Sequence, residues 1–153
     1  DENSAHVLCE SFEMVCRLIE GRHPNYNGVI PKENPYKVTV DRISFLTALK
    51  RVSVFSQATS LVKLQLNSDE IIIFGQDIDF SIAAEEHIPC SLDGPETAIG
   101  FNAVYLIEIL SNIGSDDVIL ELADRTRAGV IVPAENEENE DLLTLLMPMM
   151  LND

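Results

Sequence analysis

Residues 40–49 read VDRISFLTAL, and residues 101–110 read FNAVYLIEIL. The two stretches align without a gap. Each leaves a β-rich run, passes through Asp41 or Asn102, and enters an amphipathic helical pattern. Asp and Asn are good N-caps because a side-chain oxygen can accept from the first unpaired amides of a helix. In the first helix Phe45, Leu49 and Val52 recur at helical spacing, and Leu46 widens the stripe. The opposite face carries Ser44, Thr47, Lys50 and Arg51. In the second, Ala103, Leu106, Ile107 and Leu110 form the stripe, and Gly114 suits a left-handed C-terminal position.

The flanking elements match as well. KVTV (37–40) precedes the first helix. LVKLQL (61–66), EIIIFGQDIDF (70–80) and SIAAEEHI (81–88) follow it as strands, with NSDE (67–70) as a turn. TAIGF (97–101) precedes the second helix. DVILEL (117–122), AGVIV (128–132) and LLTLLMPMML (142–151) follow it, linked by ADRTR (123–127) and the acidic run ENEENED (135–141). A β-α-β-β-β unit thus occurs twice between about Tyr36 and Leu151. The period of about 60 residues is too long for a solenoid. Any two amphipathic helices share some likeness, but the matched order of neighbours favours a true repeat. The expected fold is α+β, with two helices packed on antiparallel sheets.

Residues 1–33 fall outside this repeat. SAHVLCE and SFEMVCRLIEG read as a hairpin, and two strands alone are marginal. They are expected to be the tail of a preceding domain, with PKENP (31–35) as the linker. The chain opens on Asp1, which suits a piece of a longer protein.

The chain has 153 residues, of which 46 % are hydrophobic, and can bury a real core. Its net charge of −16 opposes tight binding to nucleic acid or anionic membrane. Positive charge is confined. Eight of the ten Lys and Arg lie between Arg17 and Lys63, and none lies between Leu64 and Asp124. No apolar run is long enough to span a bilayer, and no signal-peptide pattern is expected. Cys9, Cys16 and Cys90 form no disulfide framework and suit a reducing cytoplasm.

There is no phosphate loop, nucleophile elbow or paired-histidine metal helix. Asp77 and Asp79, two apart on a strand, would face one side and could share a divalent ion; a solvated strand face explains them more simply. His6, Cys9 and Cys16 match no common zinc spacing, and buried apolar cysteines are the simpler expectation. Lys50 and Arg51 suit either a loose phosphate contact or a solvated face. The tail LLMPMML (145–151) is the most unusual feature. As a strand it would put Leu145, Met147, Met149 and Leu151 on one face and Leu146, Pro148 and Met150 on the other. One face can enter the core. The other needs a cover or a visitor, and flexible methionines suit varied visitors. A central strand buried on both faces is the alternative.

The stretch CRLIEGRHPNYNGVIPKENPYKVTVDRISFLTALKRVSVFS (16–56), QDIDFSIAAEE (76–86), TAIGFNAVYLIEIL (97–110) and LLMPMML (145–151) together resemble the bacterial β sliding clamps, the β subunit of DNA polymerase III. The resemblance runs in order along essentially the whole chain. It implies a DNA-clamp fold of two β-α-β-β-β units per domain, three domains per chain, and two chains closing head to tail around duplex DNA. Residues 1–33 would then be the last hairpin and linker of the middle domain, and 34–153 the C-terminal domain. A clamp does no chemistry and needs no cofactor or metal. As a cytoplasmic homodimer with no membrane role, it tethers the replicative polymerase, and the clamp loader and repair proteins bind through short hydrophobic motifs.

Carried over by position, the resemblance puts Lys50 and Arg51 on the DNA-facing side. It puts Pro24, Val29, Tyr105, Leu145, Leu146, Met147, Pro148 and Met149 in the peptide pocket, and Val54, Phe55, Glu85 and Glu86 at the ring-closing interface. The complement of that interface would lie on the N-terminal domain, so this chain alone is not expected to close a ring. Two departures stand out: Met150 occupies a usual Arg position, and Asn152 and Asp153 extend past the usual end. Two rival readings remain at this stage, a stand-alone acidic interaction domain and a metal-dependent hydrolase using Asp77 and Asp79.

Overall fold

The computed structural model of the chain describes residues 3–151; Asn152 and Asp153 lie outside them. Strands β1 (Ser4–Leu8) and β2 (Glu13–Arg17) form a hairpin of their own. The first unit runs β3 (Tyr36–Asp41), α1 (Arg42–Ser53), β4 (Leu61–Leu66), β5 (Glu70–Asp77) and β6 (Ile82–Pro89). A short strand, β7 (Ser91–Asp93), comes next; it pairs with β3 and is not foreseen from the sequence. The second unit runs β8 (Thr97–Asn102), α2 (Ala103–Asn112), β9 (Asp117–Leu122), β10 (Gly129–Pro133) and β11 (Thr144–Leu146).

The units do not fold side by side; they exchange strands. One sheet has the order β11-β10-β9-β3-β7 and the other β6-β5-β4-β8. Each leading strand therefore pairs with the first trailing strand of the other unit, β3 with β9 and β8 with β4. The helix starts repeat the exchange: the Arg42 amide donates to the Asp116 carbonyl at 2.8 Å, and the Ala103 amide to the Ser60 carbonyl at 2.7 Å. Neither unit can satisfy its backbone without the other.

Both expected caps are present. Asp41 accepts from the Ser44 amide at 2.7 Å, and Asn102 from the Val104 and Tyr105 amides at 2.9 and 3.3 Å. The far end of α2 differs from expectation. Gly114 is not left-handed. Instead Arg42, the first residue of α1, reaches across and donates to the Leu110 carbonyl at 3.1 Å and the Ser115 carbonyl at 2.6 Å. A cation there meets the negative end of the α2 dipole, a task that the last turn of α2, lacking basic residues, cannot perform.

Most of the helical stripes are buried as read: Phe45, Leu46, Leu49 and Val52 from α1, and Ala103, Leu106 and Leu110 from α2, whereas Ile107 is only half-buried at the core's margin. They join alternate residues of the strands, such as Val62, Leu64 and Leu66, in one cluster. Each large side chain so buried contributes about 1.5–3 kcal/mol. Close helix-on-sheet contact needs a glycine at position 75, where an added methyl group would come 2.8 Å from Val52 Cγ1 and 3.0 Å from the Val52 carbonyl oxygen.

The hairpin contrasts with this core. Every residue of β2 is exposed. Cys9 and Cys16 are exposed too, contrary to the expectation of buried thiols, because nothing among the described residues packs over the hairpin. Residues 31–35, expected to be a linker, are more tethered than their composition suggests. Asn34 is only 9 % exposed and donates to the Glu121 and Ala128 carbonyls, both at 3.0 Å.

The tail is not one long strand. β11 stops at Leu146, where it pairs with β10 at the edge of the first sheet. Pro148, lacking an amide hydrogen, ends the ladder. The chain then crosses to the edge of the second sheet, where Met149 bridges Gly100 of β8, its amide donating to the Gly100 carbonyl at 2.8 Å. The tail thus joins the edges of both sheets. Gly100 makes this possible: a side chain there would meet the Met149 carbonyl oxygen at 2.8 Å and Leu151 Cδ2 at 2.8 Å.

Gly100→Val should therefore lower unfolding free energy by about 1–3 kcal/mol through overpacking, and speed amide exchange at Met149 selectively; unchanged protection at Met149 would contradict the tail's seating. The helix cap gives a pH-dependent outcome. The Ser44 hydrogen bond holds the Asp41 carboxyl below its ordinary value. Its contribution is present above the unfolded value of about 3.9 and is lost as pH falls through the folded one. An Asp41→Asn variant has no carboxyl to titrate at this cap, so urea melts should show the wild-type advantage at neutral pH vanishing in acid.

Candidate functional site

A depression of about 410 Å³ lies between α2 and the tail. It is walled by Tyr105, Ile109, Asn112 and Ile113 on the helix side, and by Leu142, Thr144, Leu145 and Leu146 on the other. Helical spacing explains the first wall, because residues four apart share a face. Strand pairing of β11 with β10 explains the second. Tyr105 is 58 % exposed despite its aromatic ring, and Leu145 is half-buried, while Leu146 at 6 % belongs to the core. The volume suits a few side chains of a guest. Glu108 is the single charged residue of the lining.

Of the residues expected in a peptide pocket, Tyr105, Leu145 and Leu146 meet here. Met147 is 64 % exposed beyond the rim, and Pro148 and Met149 are half-buried where the tail crosses between sheets. Strict alternation along the tail fails at Pro148: Met147 and Met150 both point out, although the strand pattern puts them on opposite faces. Pro24 and Val29 are exposed and do not line the depression. They flank a one-turn 3-10 helix, Tyr26–Gly28, against which His23 packs edge-on to Tyr26 at 5.9 Å between ring centres. Glu108, Ile109, Asn112, Ile113, Leu142 and Thr144 are lining residues that sequence reasoning missed. The helical positions were findable by stepping along α2 from Tyr105.

Lys50 and Arg51 both lie exposed at the end of α1, but their electrostatic situations differ. Lys50 makes no ion pair among the described residues. Arg51 donates from Nε and Nη2 to both carboxylate oxygens of Glu86, a bidentate pair that also holds the Glu86 carboxyl below its ordinary value. A residue read as DNA-facing and one read as ring-closing are thus partners. Val54 is exposed and Phe55 half-buried in the turn after α1. Glu85 and Glu86 sit on β6, the edge strand of its sheet. On the same strand His87 lies 3.0 Å from Glu70 Oε2 through Nδ1 and 3.0 Å from Glu85 Oε1 through Nε2. Both nitrogens can donate only in the imidazolium, and the two carboxylates raise the His87 pKa, Glu70 foremost. The contact is complete below about 6.5 and fades as pH rises through the raised value.

Asp77 and Asp79 do not share a strand face. β5 ends at Asp77, whose Oδ1 accepts from the amides of Asp79 and Phe80 at 3.1 and 3.2 Å and closes the turn to β6. No cluster of three or more metal-ligating side chains occurs among the described residues. Both observations remove the basis for reading these aspartates as a metal site.

Residues 27–150 match the family described as DNA polymerase III beta subunit, C-terminal domain. The chain is 29 % identical over 143 residues to the beta sliding clamp of Synechococcus elongatus, covering 90 % of this chain and 36 % of that protein. It is 30 % identical over 149 residues to that of Proteus mirabilis, covering 96 % and 39 %. A crystal structure of the Pseudomonas aeruginosa DNA polymerase sliding clamp superposes with a TM-score of 0.90 at 26 % identity, over 99 % of this chain and 40 % of that one. The Bartonella birtlesii clamp, in a crystal structure bound to griselimycin, does so at 0.88 and 29 %, over 99 % and 40 %. This chain spans well under half the length of these relatives. By the match along residues 27–150, carried on the interleaved repeat and its terminal tail, the chain belongs to the DNA polymerase III beta subunit family, the beta sliding clamps.

Proposed function

We propose that this chain acts as the C-terminal part of a ring-shaped processivity clamp that encircles duplex DNA and tethers the replicative polymerase. In this reading residues 1–33 end a middle domain and residues 34–153 form the last one. A closed ring slides because it is topologically linked, not because it grips. That resolves the conflict between a net charge of −16 and a DNA role. Lys50, unpaired on the polar face of α1, is the cation best placed for a passing phosphate. Arg51 serves only when Glu86 releases it. The protein is cytoplasmic and non-enzymatic in this reading. No helix among the described residues is long and apolar enough to cross a membrane.

The observation that carries the proposal is the apolar tail held open beside Tyr105 in a chain of this family. Guest segments from polymerase, clamp loader or repair proteins would insert an aliphatic or aromatic side chain between Tyr105 and Leu145, with Met147, Pro148 and Met149 extending the contact. Pro24 and Val29 would supply the opposite wall once the rest of the middle domain is in place. Burying one Leu or Phe contributes about 1.5–3 kcal/mol before ordering costs, which points to exchangeable, roughly micromolar binding. Ring closure would use Val54, Phe55, Glu85 and Glu86 against a domain absent from this chain.

Fluorescence anisotropy with a labelled peptide carrying Gln and a Leu–Phe pair tests the docking role. Tyr105→Ala should raise Kd by about tenfold, equivalent to about 1.4 kcal/mol. An unchanged Kd would remove Tyr105 from the site, and no binding by the wild type would reject the groove. Sedimentation should show this chain as a monomer; a stable dimer would contradict the assignment of ring closure to a missing domain.

A further inference from the structure

The docking groove has an unusual charge pattern. Neither wall carries a cation, since no Lys or Arg lies between Leu64 and Asp124 or after Arg127. Met150 in the tail is 86 % exposed and neutral. Glu108 lines the depression, and no side-chain hydrogen bond or ion pair engages its carboxylate among the described residues. Asn112, one turn on, is uncharged, and its side-chain amide donates to the Glu108 backbone carbonyl at 2.8 Å, not to the carboxylate.

The negative charge continues past the rim. Leu142, which lines the depression, also lines a small recess walled by Glu135, Glu137 and Glu140. Glu137 Oε1 lies close over Gly114, 2.7 Å from where a side chain there would begin, directly after Ile113 of the groove. Arg42, the cation that reaches this end of α2, is occupied by the Leu110 and Ser115 carbonyls and does not line the groove. The cleft is therefore apolar at Tyr105 and increasingly acidic toward Leu142.

We propose that this groove selects guest segments in which Lys or Arg follows the apolar anchor, with Glu108 as the specificity-determining contact and the 135–141 loop as an outer acidic rim. The inference rests on the docking role proposed above and adds the guest's chemistry to it. Apolar burial between Tyr105 and Leu145 supplies most of the affinity. The carboxylates discriminate, favouring a basic flank and repelling an acidic one.

The test uses this chain and two labelled short peptides that share one Leu–Phe anchor, one followed by a pair of Lys and the other by a pair of Glu. At low salt the Lys peptide should bind about five- to tenfold more tightly, and the preference should collapse near 1 M salt, where the Debye length is about 3 Å. Glu108→Gln should shrink the ratio while leaving the melting temperature unchanged, and Glu137→Gln with Glu140→Gln should shrink it further. Equal affinities at low salt, or a ratio indifferent to all three substitutions, would overturn charge selection while leaving docking intact. Failure of both peptides to bind would overturn the docking role and this inference together.

Discussion

The reciprocal exchange of strands between the two repeats is the constraint on which the rest depends. β3 needs β9, and β8 needs β4, so the ladders close only when both units are present. The Arg42 amide to Asp116 and the Ala103 amide to Ser60 lock the helix starts in the same crosswise manner. Arg42 then caps the helix of the other unit. Backbone groups that cannot be left unpaired in a core thus force two similar sequences into one domain. They also bring the second helix to the place where the chain's last strand arrives.

That arrival shapes the groove. β11 is short, and Pro148 stops it from continuing along the first sheet. Met149 completes the crossing by pairing with Gly100 on the second sheet. One apolar run is thereby divided. Leu146 joins the core, Leu145 lies at the boundary, and Met147 and Met150 remain in solvent. Exposed methionines beside an exposed tyrosine are costly for a monomer and useful for a surface that accepts several partners.

Much of this was legible before any coordinates. Asp41 and Asn102 announced the helix starts, and the apolar spacing announced which faces are buried. β4 and β9 fall where their alternating residues place them. The misses have physical causes. β7 is only three residues long and depends on β3 for its existence. The end of α2 is capped by a residue about seventy positions earlier, a contact no local pattern reveals. The tail's alternation broke because a proline and a distant glycine redirect the backbone. Cys9 and Cys16 are exposed because cysteine burial is a property of the surroundings, and the described residues leave this hairpin uncovered. In the site, Tyr105, Leu145 and Leu146 were identifiable from the family resemblance. Glu108 and Leu142 were not, because their place in the lining arises only when α2 and the segment leading into β11 are brought side by side.

The central claim is that the tail divides its side chains between the interior and a guest. Methyl-labelled NMR spectra of Met147, Leu145 and Leu146 during titration with an apolar peptide measure that division most directly. The account predicts large, saturable shifts at Met147 and Leu145 with little change at Leu146. Shifts confined to Leu146, or none at the three residues while the peptide binds elsewhere, would contradict it.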